Sequence, residues 1–358
     1  MVPKTKPLNR SNIRGHIFEV FVRILLEQNG WKIQSKGDPD KFSYSSPFWI
    51  ELKGRGTWHQ IDAPCIFERH IPFIYPLRLI TEMKFLKAHK GEVQKDQMRE
   101  FLGVVKDISE NYFIDIDHTS DQERFTEVGT FFSANGFQQE AVNLGFAHGI
   151  RTVSYRTNKN IADIKKGIED LVNLGFPPRT LIGGKGRLAK FKEDLYDYMS
   201  NRRSQLLQSS GWGNITEETR KTLASIRDSL NGIKANFIGT TSAGILLHFL
   251  GKDEFPNELF TETDTQPCRI YYDDSIRKDI PMWLEFRRDS KRPKRRFYFD
   301  IPPILEEVIK NEKDILSAKE TAFAHIAVYK RINNIMRLLN LEIDKEWIDR
   351  IREHRTGG

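Results

Sequence analysis

The apolar positions in the N-terminal part of the chain alternate between the period of a helix and that of a strand. Apolar side chains recur at helical spacing at Ile17, Val20, Phe21, Ile24 and Leu25. This stripe predicts a helix over residues 14–29 that ends at Gly30. Residues 77–85 form an apolar run of strand length. Because such elements keep alternating up to residue 155, we expect an α/β fold with a mixed sheet flanked by helices.

The remaining elements suggest two domains. In the first part, the pattern predicts helices over residues 93–105 and 138–148, strands over 31–34, 48–52, 112–116, 128–132 and 150–155, and a loop over 38–47. We place a boundary within residues 156–186, which contain Pro177-Pro178 and Gly183-Gly184-Lys185-Gly186. The expected domains are residues 1–160 and an α+β domain over 187–358. The second part contains predicted helices over 188–207, 217–230, 303–309, 318–339 and 345–355, and strands over 235–241, 269–272, 282–286 and 296–300.

Composition narrows the class of protein. The 358 residues carry a net charge of +7, with a pI near 9.2, which favours a polyanionic partner such as nucleic acid. The two cysteines, Cys65 and Cys268, argue against a disulfide framework or a cysteine-based zinc site, and they fit a reducing cytoplasm. No stretch approaches the roughly 20 apolar residues of a membrane span. The basic start of the chain has no apolar core, so we expect a cytoplasmic protein without a secretory signal.

Asp62, Glu82 and Lys84 form the strongest candidate site. Glu82 and Lys84 are two residues apart in a predicted strand, so both side chains point to one face. Two carboxylates can hold Mg²⁺ beside a phosphate, and a lysine can orient the attacking water. The pattern therefore predicts a site for cutting phosphodiester bonds. A salt bridge on a surface strand is the alternative, but charges in a largely apolar run are costly to bury without such a purpose.

A second set of the same residue types lies upstream. Pro39-Asp40 and the triplet with Glu51 and Lys53 also match Pro-Asp…Glu-x-Lys. We favour the later set because a convincing helix follows Lys84, whereas Gly54-Arg55-Gly56 directly follows Lys53. The earlier set stays open as the true site.

Further candidates surround the main set. Glu19, on the first predicted helix, could reach a metal ion or water at the site, or form an i,i+4 ion pair with Arg23. Gln60 could contact a phosphate. Seven of the ten residues from 287 to 296 are basic: Arg287, Arg288, Lys291, Arg292, Lys294, Arg295 and Arg296. This segment separates two predicted strands, so we expect a hairpin tip that contacts DNA, with a solvated loop as the alternative.

Residues 1–155 resemble the restriction-endonuclease-like, PD-(D/E)xK superfamily and, within it, the Mrr-type nucleases. The segment Gly15-His16-Ile17-Phe18-Glu19 is similar to the family's helix start, and Asp62 and Glu82-Met83-Lys84 match its metal aspartate and its Glu-x-Lys. Segments 131–133, 139–141 and 149–153 are similar to its closing strand, helix and strand. The family's aspartate-rich glycine loop is replaced by residues 54–62, and the resemblance does not extend over residues 160–358.

The resemblance implies a Mg²⁺-dependent DNA endonuclease of restriction or phage-defence type. Asp62 and Glu82 would bind the metal, Lys84 would position the water and stabilise charge on the phosphate, and Glu19 would assist. The expected substrate is double-stranded DNA. Cutting both strands with one site per chain suggests a homodimer. Two alternatives are a ligand-gated nuclease effector and a DNA-binding protein that retains the fold without catalysis. The second domain would recognise the target or mediate oligomerisation.

Overall fold

The computed structural model describes residues 10–67, 74–87, 91–111, 124–176, 185–202, 215–273, 280–291, 293–301, 305, 315–332 and 335–356. They fall into two compact units. Unit 1 lies within Met1–Thr152 and Ile164–Leu230, and unit 2 within Val153–Asp163 and Asn231–Gly358. Helices and strands alternate as expected, so the general α/β class is confirmed.

Unit 1 begins with a helix and contains two sheets. Its helices are α1 (Arg10–Gln28), α2 (Lys95–Ser109), α3 (Gln139–Ala147), α4 (Lys159–Asn173, which begins in unit 2), α5 (Lys185–Met199) and α6 (Glu217–Asn231). Its strands are β1 (Trp31–Ile33), β2 (Phe42–Ser46), β3 (Trp49–Lys53), β4 (Trp58–Ile61), β5 (Cys65–Phe67), β6 (Leu77–Lys84), β7 (Thr126–Ser133) and β8 (Arg151–Ser154, which ends in unit 2). The chain leaves α1 through Gly30, whose φ of 83° suits a residue without a side chain.

The larger sheet places β6 at its centre. Its strand order is β1-β5-β6-β7-β8, and β6 pairs antiparallel with β5 and parallel with β7. A parallel pair requires a crossover, and α2 lies in the connection between β6 and β7. The smaller sheet, β2-β3-β4, is antiparallel throughout. The predicted loop over residues 38–47 was therefore wrong in its second half, since β2 forms by pairing with β3.

Helix α1 is buried on two sides because it packs against both β6 and α5. Phe18, Val22 and Leu25 are fully enclosed. The position of α5 differs from the predicted division, which assigned residues 187–230 to the second domain. The expected linker region also contains α4, whose buried Ile161, Ile164, Ile168, Leu171 and Val172 follow the helical period.

Unit 2 contains a closed barrel of seven strands. The strands are β9 (Ala235–Thr241), β10 (Leu246–Gly251), β11 (Thr265–Tyr272), β12 (Met282–Phe286), β13 (Phe297–Phe299), β14 (His325–Ile332) and β15 (Ile335–Ile343). Their order around the barrel is β10-β13-β12-β11-β15-β14-β9. A 3₁₀ helix (Asn257–Phe260) and the helices α7 (Ile315–Ala322) and α8 (Lys345–Thr356) accompany them. The core is rich in phenylalanine: Phe237, Phe249, Phe255, Phe260, Phe286, Phe297, Phe299 and Phe323.

The helix predicted over residues 318–339 was wrong beyond its first turns. The segment forms the antiparallel pair β14–β15. Ile326 and Val328 alternate with partly or fully exposed residues, which is the period of a strand, and both are buried in the barrel. The predicted strand over residues 112–116 lies outside the described residues, as do nearly all positions of the helix predicted over 303–309.

Candidate active site

Asp62 lies at the junction of the two sheets of unit 1, where β4 ends and the chain turns towards β5. The buried Thr81 holds this turn: its hydroxyl donates to the Ala63 carbonyl (2.9 Å) and accepts from the Ala63 N–H (2.8 Å). The Asp62 carboxylate accepts a hydrogen bond from the Met83 N–H (2.8 Å). Two contacts from β6 therefore fix Asp62 beside the Glu-x-Lys triplet.

Glu82 and Lys84 lie at the C-terminal end of β6 and form an ion pair with each other. They point to one face, as their spacing predicted, while Met83 between them is buried on the other side. Lys84 keeps 37% of its side chain exposed and Glu82 keeps 26%. Both groups are therefore fixed by the sheet and still accessible to a substrate.

Glu19 enters the same site from α1. Its side chain is almost completely buried and forms an ion pair with Lys192 of α5, which is 2% exposed. His16, one turn earlier on α1, has its Nδ1 3.7 Å from Glu19 Oε2. Arg23 pairs with Glu27 (3.7 Å). The alternative ion pair between Glu19 and Arg23 is therefore not formed: Glu19 pairs with Lys192, and Arg23 pairs with Glu27.

The charged groups of this cluster shift one another's pKa values. Burial raises the pKa of Asp62 well above its usual range, and the nearby carboxylates of Glu82 and Glu19 act in the same direction. Burial disfavours the ammonium form of Lys84, but Glu82 and Asp62 outweigh this effect and raise its pKa. Burial would also raise the pKa of Glu19, yet Lys192 and His16 together lower it. Lys84 therefore stays protonated at neutral pH, and the carboxylates repel one another.

The donor set fits a hard divalent cation with an incomplete protein shell. Among the described residues, no group of three or more His, Cys, Asp or Glu side chains is placed to hold a metal ion. Asp62 and Glu82 form a pair, which is what Mg²⁺ commonly uses when waters and substrate oxygens supply its other ligands. The buried Glu19 Oε1 has no hydrogen-bond partner within the described residues. This oxygen atom is therefore an acceptor available to a water or a cation.

The competing upstream set is dispersed. Glu51 and Lys53 lie on β3, the middle strand of the smaller sheet, and the Lys53 ammonium lies 5.9 Å from the ring centroid of Trp58. Asp40 is exposed in a turn, where its N–H binds Asp38. The geometry therefore favours Asp62, Glu82 and Lys84 over the upstream set.

Gln60 lies on β4 directly opposite Glu51 and is exposed, so a ligand can reach it. Its neighbour His59 is committed to a contact with Asp107 (2.7 Å). That contact belongs to a loop arrangement in which Gly56 N–H also donates to Asp107 (3.1 Å). Gln60 is therefore more accessible to a ligand than His59.

The basic segment between β12 and β13 divides into two groups. Arg295 is 2% exposed and binds Asp289 and Glu258, so it braces the loop and is not presented to DNA. Arg287 pairs with Asp344 and Glu346, and Arg296 pairs with Glu285. The remaining described members reach solvent: Arg288 and Lys291 are exposed and Lys294 is half-buried. Arg292 lies outside the described residues.

Lys192 is the member of the site that the sequence did not indicate. It is 173 residues from Glu19, on a helix assigned to the second domain. The one available signal was that the buried Ala189 and Leu195, three residues before and after Lys192, place this lysine on an apolar face of α5. A lysine beside such an apolar stripe is usually a solvated residue that extends over it.

Comparisons with known proteins leave the family open. No protein-family model matches the sequence. A search of curated proteins gives no match. The structure is similar to the crystal structure of a protein of unknown function, AF1548, with 14% identity and a TM-score of 0.31. That likeness covers 61% of this chain and 98% of the other, and at this TM-score it supports no conclusion about fold family or activity. Every helix among the described residues is too short or too polar to cross a bilayer.

Proposed function

We propose that this chain is a Mg²⁺-dependent DNA endonuclease of restriction or phage-defence type, with a PD-(D/E)xK-like site. The observation that carries the proposal is the convergence of Asp62, Glu82, Lys84 and Glu19 from three separate elements. Mutually repelling carboxylates are held together at a cost that a bound cation would relieve. The net charge of +7 supports a polyanionic substrate.

The residues divide the chemistry among them. Asp62 and Glu82 would hold Mg²⁺, which supplies Lewis-acid stabilisation of the charge that develops on the phosphate. Lys84, protonated because its neighbours raise its pKa, donates hydrogen bonds to a phosphate oxygen or to the attacking water and offsets developing negative charge. It acts as an electrostatic group and a positioner of water, not as a proton acceptor.

Lys192 acts through Glu19. Its buried ammonium neutralises Glu19 and keeps that carboxylate ionised. Glu19 in turn holds its free Oε1 available to a water in the site. Lys192 is therefore a positioning residue, and its direct effect is on the charge of Glu19.

Plasmid cleavage tests the proposal. Wild-type protein should cut DNA with Mg²⁺, and Asp62→Ala and Lys84→Ala should both lose activity, each by about 10²–10³-fold for a group that stabilises developing charge. Methylated and unmethylated plasmids compared side by side would reveal a dependence on modification. Cutting that persists in both variants would reject the site. Binding without cutting by the wild type would favour the non-catalytic reading, and cutting only after addition of a cell extract would favour a gated effector.

A further inference from the structure

The outer face of the barrel in unit 2 carries a row of three aromatic side chains. Tyr271 on β11 lies opposite Trp283 on β12, which lies opposite Tyr298 on β13. The rings of Tyr271 and Trp283 are nearly parallel, at 16° with centroids 5.7 Å apart, and those of Trp283 and Tyr298 are 5.9 Å apart. The residues between them along the strands, such as Ile270 and Leu284, fill the barrel core. The row therefore lies on the outside of the barrel, where the Tyr271 ring also contacts Trp347 of α8, with centroids 5.1 Å apart.

Two cations lie over this aromatic row. The Arg296 guanidinium is 4.8 Å from the Trp283 centroid, and the Lys159 ammonium is 5.9 Å from that of Tyr298. Each cation is also held by a carboxylate, Arg296 by Glu285 (3.2 Å) and Lys159 by Asp273 (3.2 Å). The carboxylates fix the directions of these long side chains, so rings and cations form an ordered surface.

The hydrogen-bond needs of the central ring are already met. Trp283 Nε1–H donates to Glu285 (2.9 Å), so the indole has no unpaired donor, and a base that stacks on it takes the place of the Arg296 guanidinium. All three aromatic residues of the row are half-buried. A ligand for such a surface needs a flat aromatic group of its own.

The loop that follows β12 supplies the charge for a polyanion. It begins two residues after Glu285, and its Arg288 and Lys291 side chains are exposed. Because a strand rises about 3.3 Å per residue, the loop begins only about 13 Å from Trp283 along β12. Rings for stacking and cations for phosphates are thus within reach of one short stretch of nucleic acid.

We propose that the aromatic row, together with the loop after β12, binds single-stranded nucleic acid by stacking unpaired bases on Trp283 and Tyr298. Every base has a π-face, whereas the bases of a duplex are stacked on each other and cannot reach the row. Cross-strand aromatic pairs also stabilise sheets, but that role requires neither the cations nor the basic loop beside them. The inference shares with the proposed function its polyanionic partner and nothing else. It assigns unit 2 the contact with a locally unpaired strand.

Binding of nucleic acid by the 358-residue chain in EDTA tests this inference without cleavage. Fluorescence anisotropy would compare a labelled single strand with its duplex, and quenching of 2-aminopurine in the single strand would report stacking. We expect tighter binding of the single strand. Trp283→Leu should weaken it about tenfold and abolish the quenching, as expected for loss of one stacking platform. Trp283→Phe should retain both, and Tyr329→Leu, at an exposed tyrosine on β14, is the matched control.

Several outcomes would overturn the inference. They are equal binding of duplex and single strand, unchanged affinity and quenching in Trp283→Leu, or the same loss in Tyr329→Leu. If Trp283→Leu fails to fold by circular dichroism, Tyr298→Leu replaces it, with the same expected losses. Stacking on Trp283 in a protein that never cuts DNA would reject the nuclease alone. Cleavage with binding independent of Trp283 would reject this inference alone.

Discussion

The two units each bury a polar cluster, and the two clusters differ in charge. In unit 1, Glu19 and Lys192 are buried as ions beside Asp62. In unit 2, His248 is fully buried between Tyr155 and Asn236, with 2.7 Å contacts on both ring nitrogens. Asn236 Oδ1 only accepts, so Nε2 carries the proton and Nδ1 accepts from the Tyr155 hydroxyl. Both hydrogen bonds of the His248 imidazole are therefore made with neutral groups.

This difference in charge indicates that the cluster in unit 1 is a functional site and that the cluster in unit 2 supports the structure. A neutral, fully satisfied cluster fixes the barrel without uncompensated charge. A buried ion pair is rarely the most stable solution for a core, since apolar residues often serve as well. Charges that are retained beside an accessible Glu-x-Lys strand are therefore better explained by chemistry than by stability.

Removing one member of the charged pair should cost the most stability. Lys192→Met leaves the buried Glu19 without its main counter-charge, and we expect a loss of about 3–5 kcal/mol in the free energy of unfolding. Lys221→Met, at an exposed lysine of α6, should change it by about 0.5 kcal/mol or less. Urea denaturation measures both. The double variant Glu19→Gln/Lys192→Met should recover much of the loss, and a double variant as unstable as Lys192→Met would refute the role of charge.

The two Glu-x-Lys strands should differ in cleavage. Lys84→Met should reduce the rate of DNA cutting by about 10²–10³-fold, because it removes a positioned cation near the phosphate. Lys53→Met, on the equivalent position of β3, should leave the rate within about twofold, since that strand lacks the other members of the cluster. Single-turnover cleavage of one plasmid by both variants gives the ratio. A larger loss in Lys53→Met would move the site to Asp40, Glu51 and Lys53.

The neutral cluster should make the barrel sensitive to acid. Burial lowers the pKa of His248 to about 3, whereas an unfolded histidine titrates near pH 6.5. Below pH 6.5 the unfolded chain therefore binds a proton at His248 that the folded chain does not bind. The free energy of unfolding keeps its full His248 contribution above about pH 6.5 and decreases as the pH drops towards 3. From pH 6.5 to 4.5 this amounts to about 2–3 kcal/mol.

Hydrogen exchange of the β9 and β10 amides at both pH values would detect that loss. His248→Gln should be less sensitive to acid than the wild type by about the same 2–3 kcal/mol. His325→Gln is the control, because His325 has 62% of its side chain exposed. An acid response of His248→Gln equal to that of His325→Gln would show that other groups titrate instead.

Loss of the turn that orients Asp62 should have the smallest effect on stability. Thr81→Val keeps the shape of the side chain but leaves the buried Ala63 N–H and carbonyl without their partner, so we expect a loss of about 1–3 kcal/mol. Cleavage should fall as well because Asp62 is no longer fixed. Thr222→Val, at a half-buried position of α6 whose hydroxyl donates to the Glu218 carbonyl within the same helix, is the control. Full activity in Thr81→Val would show that the Met83 N–H alone positions Asp62.

Local patterns predicted part of this architecture. The stripe of α1, the strand run of β6 and the period-two placement of Glu82 and Lys84 all follow from spacing between near neighbours. The segment 318–339 was predicted wrongly because its apolar residues fit either period, and pairing with β9 and β15 decided the outcome. The basic segment was identified from composition, but composition could not separate the buried Arg295 from the exposed Arg288.

What the sequence determined by itself is which residues could perform the chemistry: two carboxylates and a lysine at strand spacing, a glutamate on the first helix, and a run of basic residues. Which of these charges meet depends on packing in three dimensions. Lys192 reaches Glu19 across 173 residues, and Thr81 fixes Asp62 across a turn between sheets. Such contacts depend on how helices and sheets pack, because the free energy that holds a buried charge comes from neighbours in space and not from neighbours along the chain.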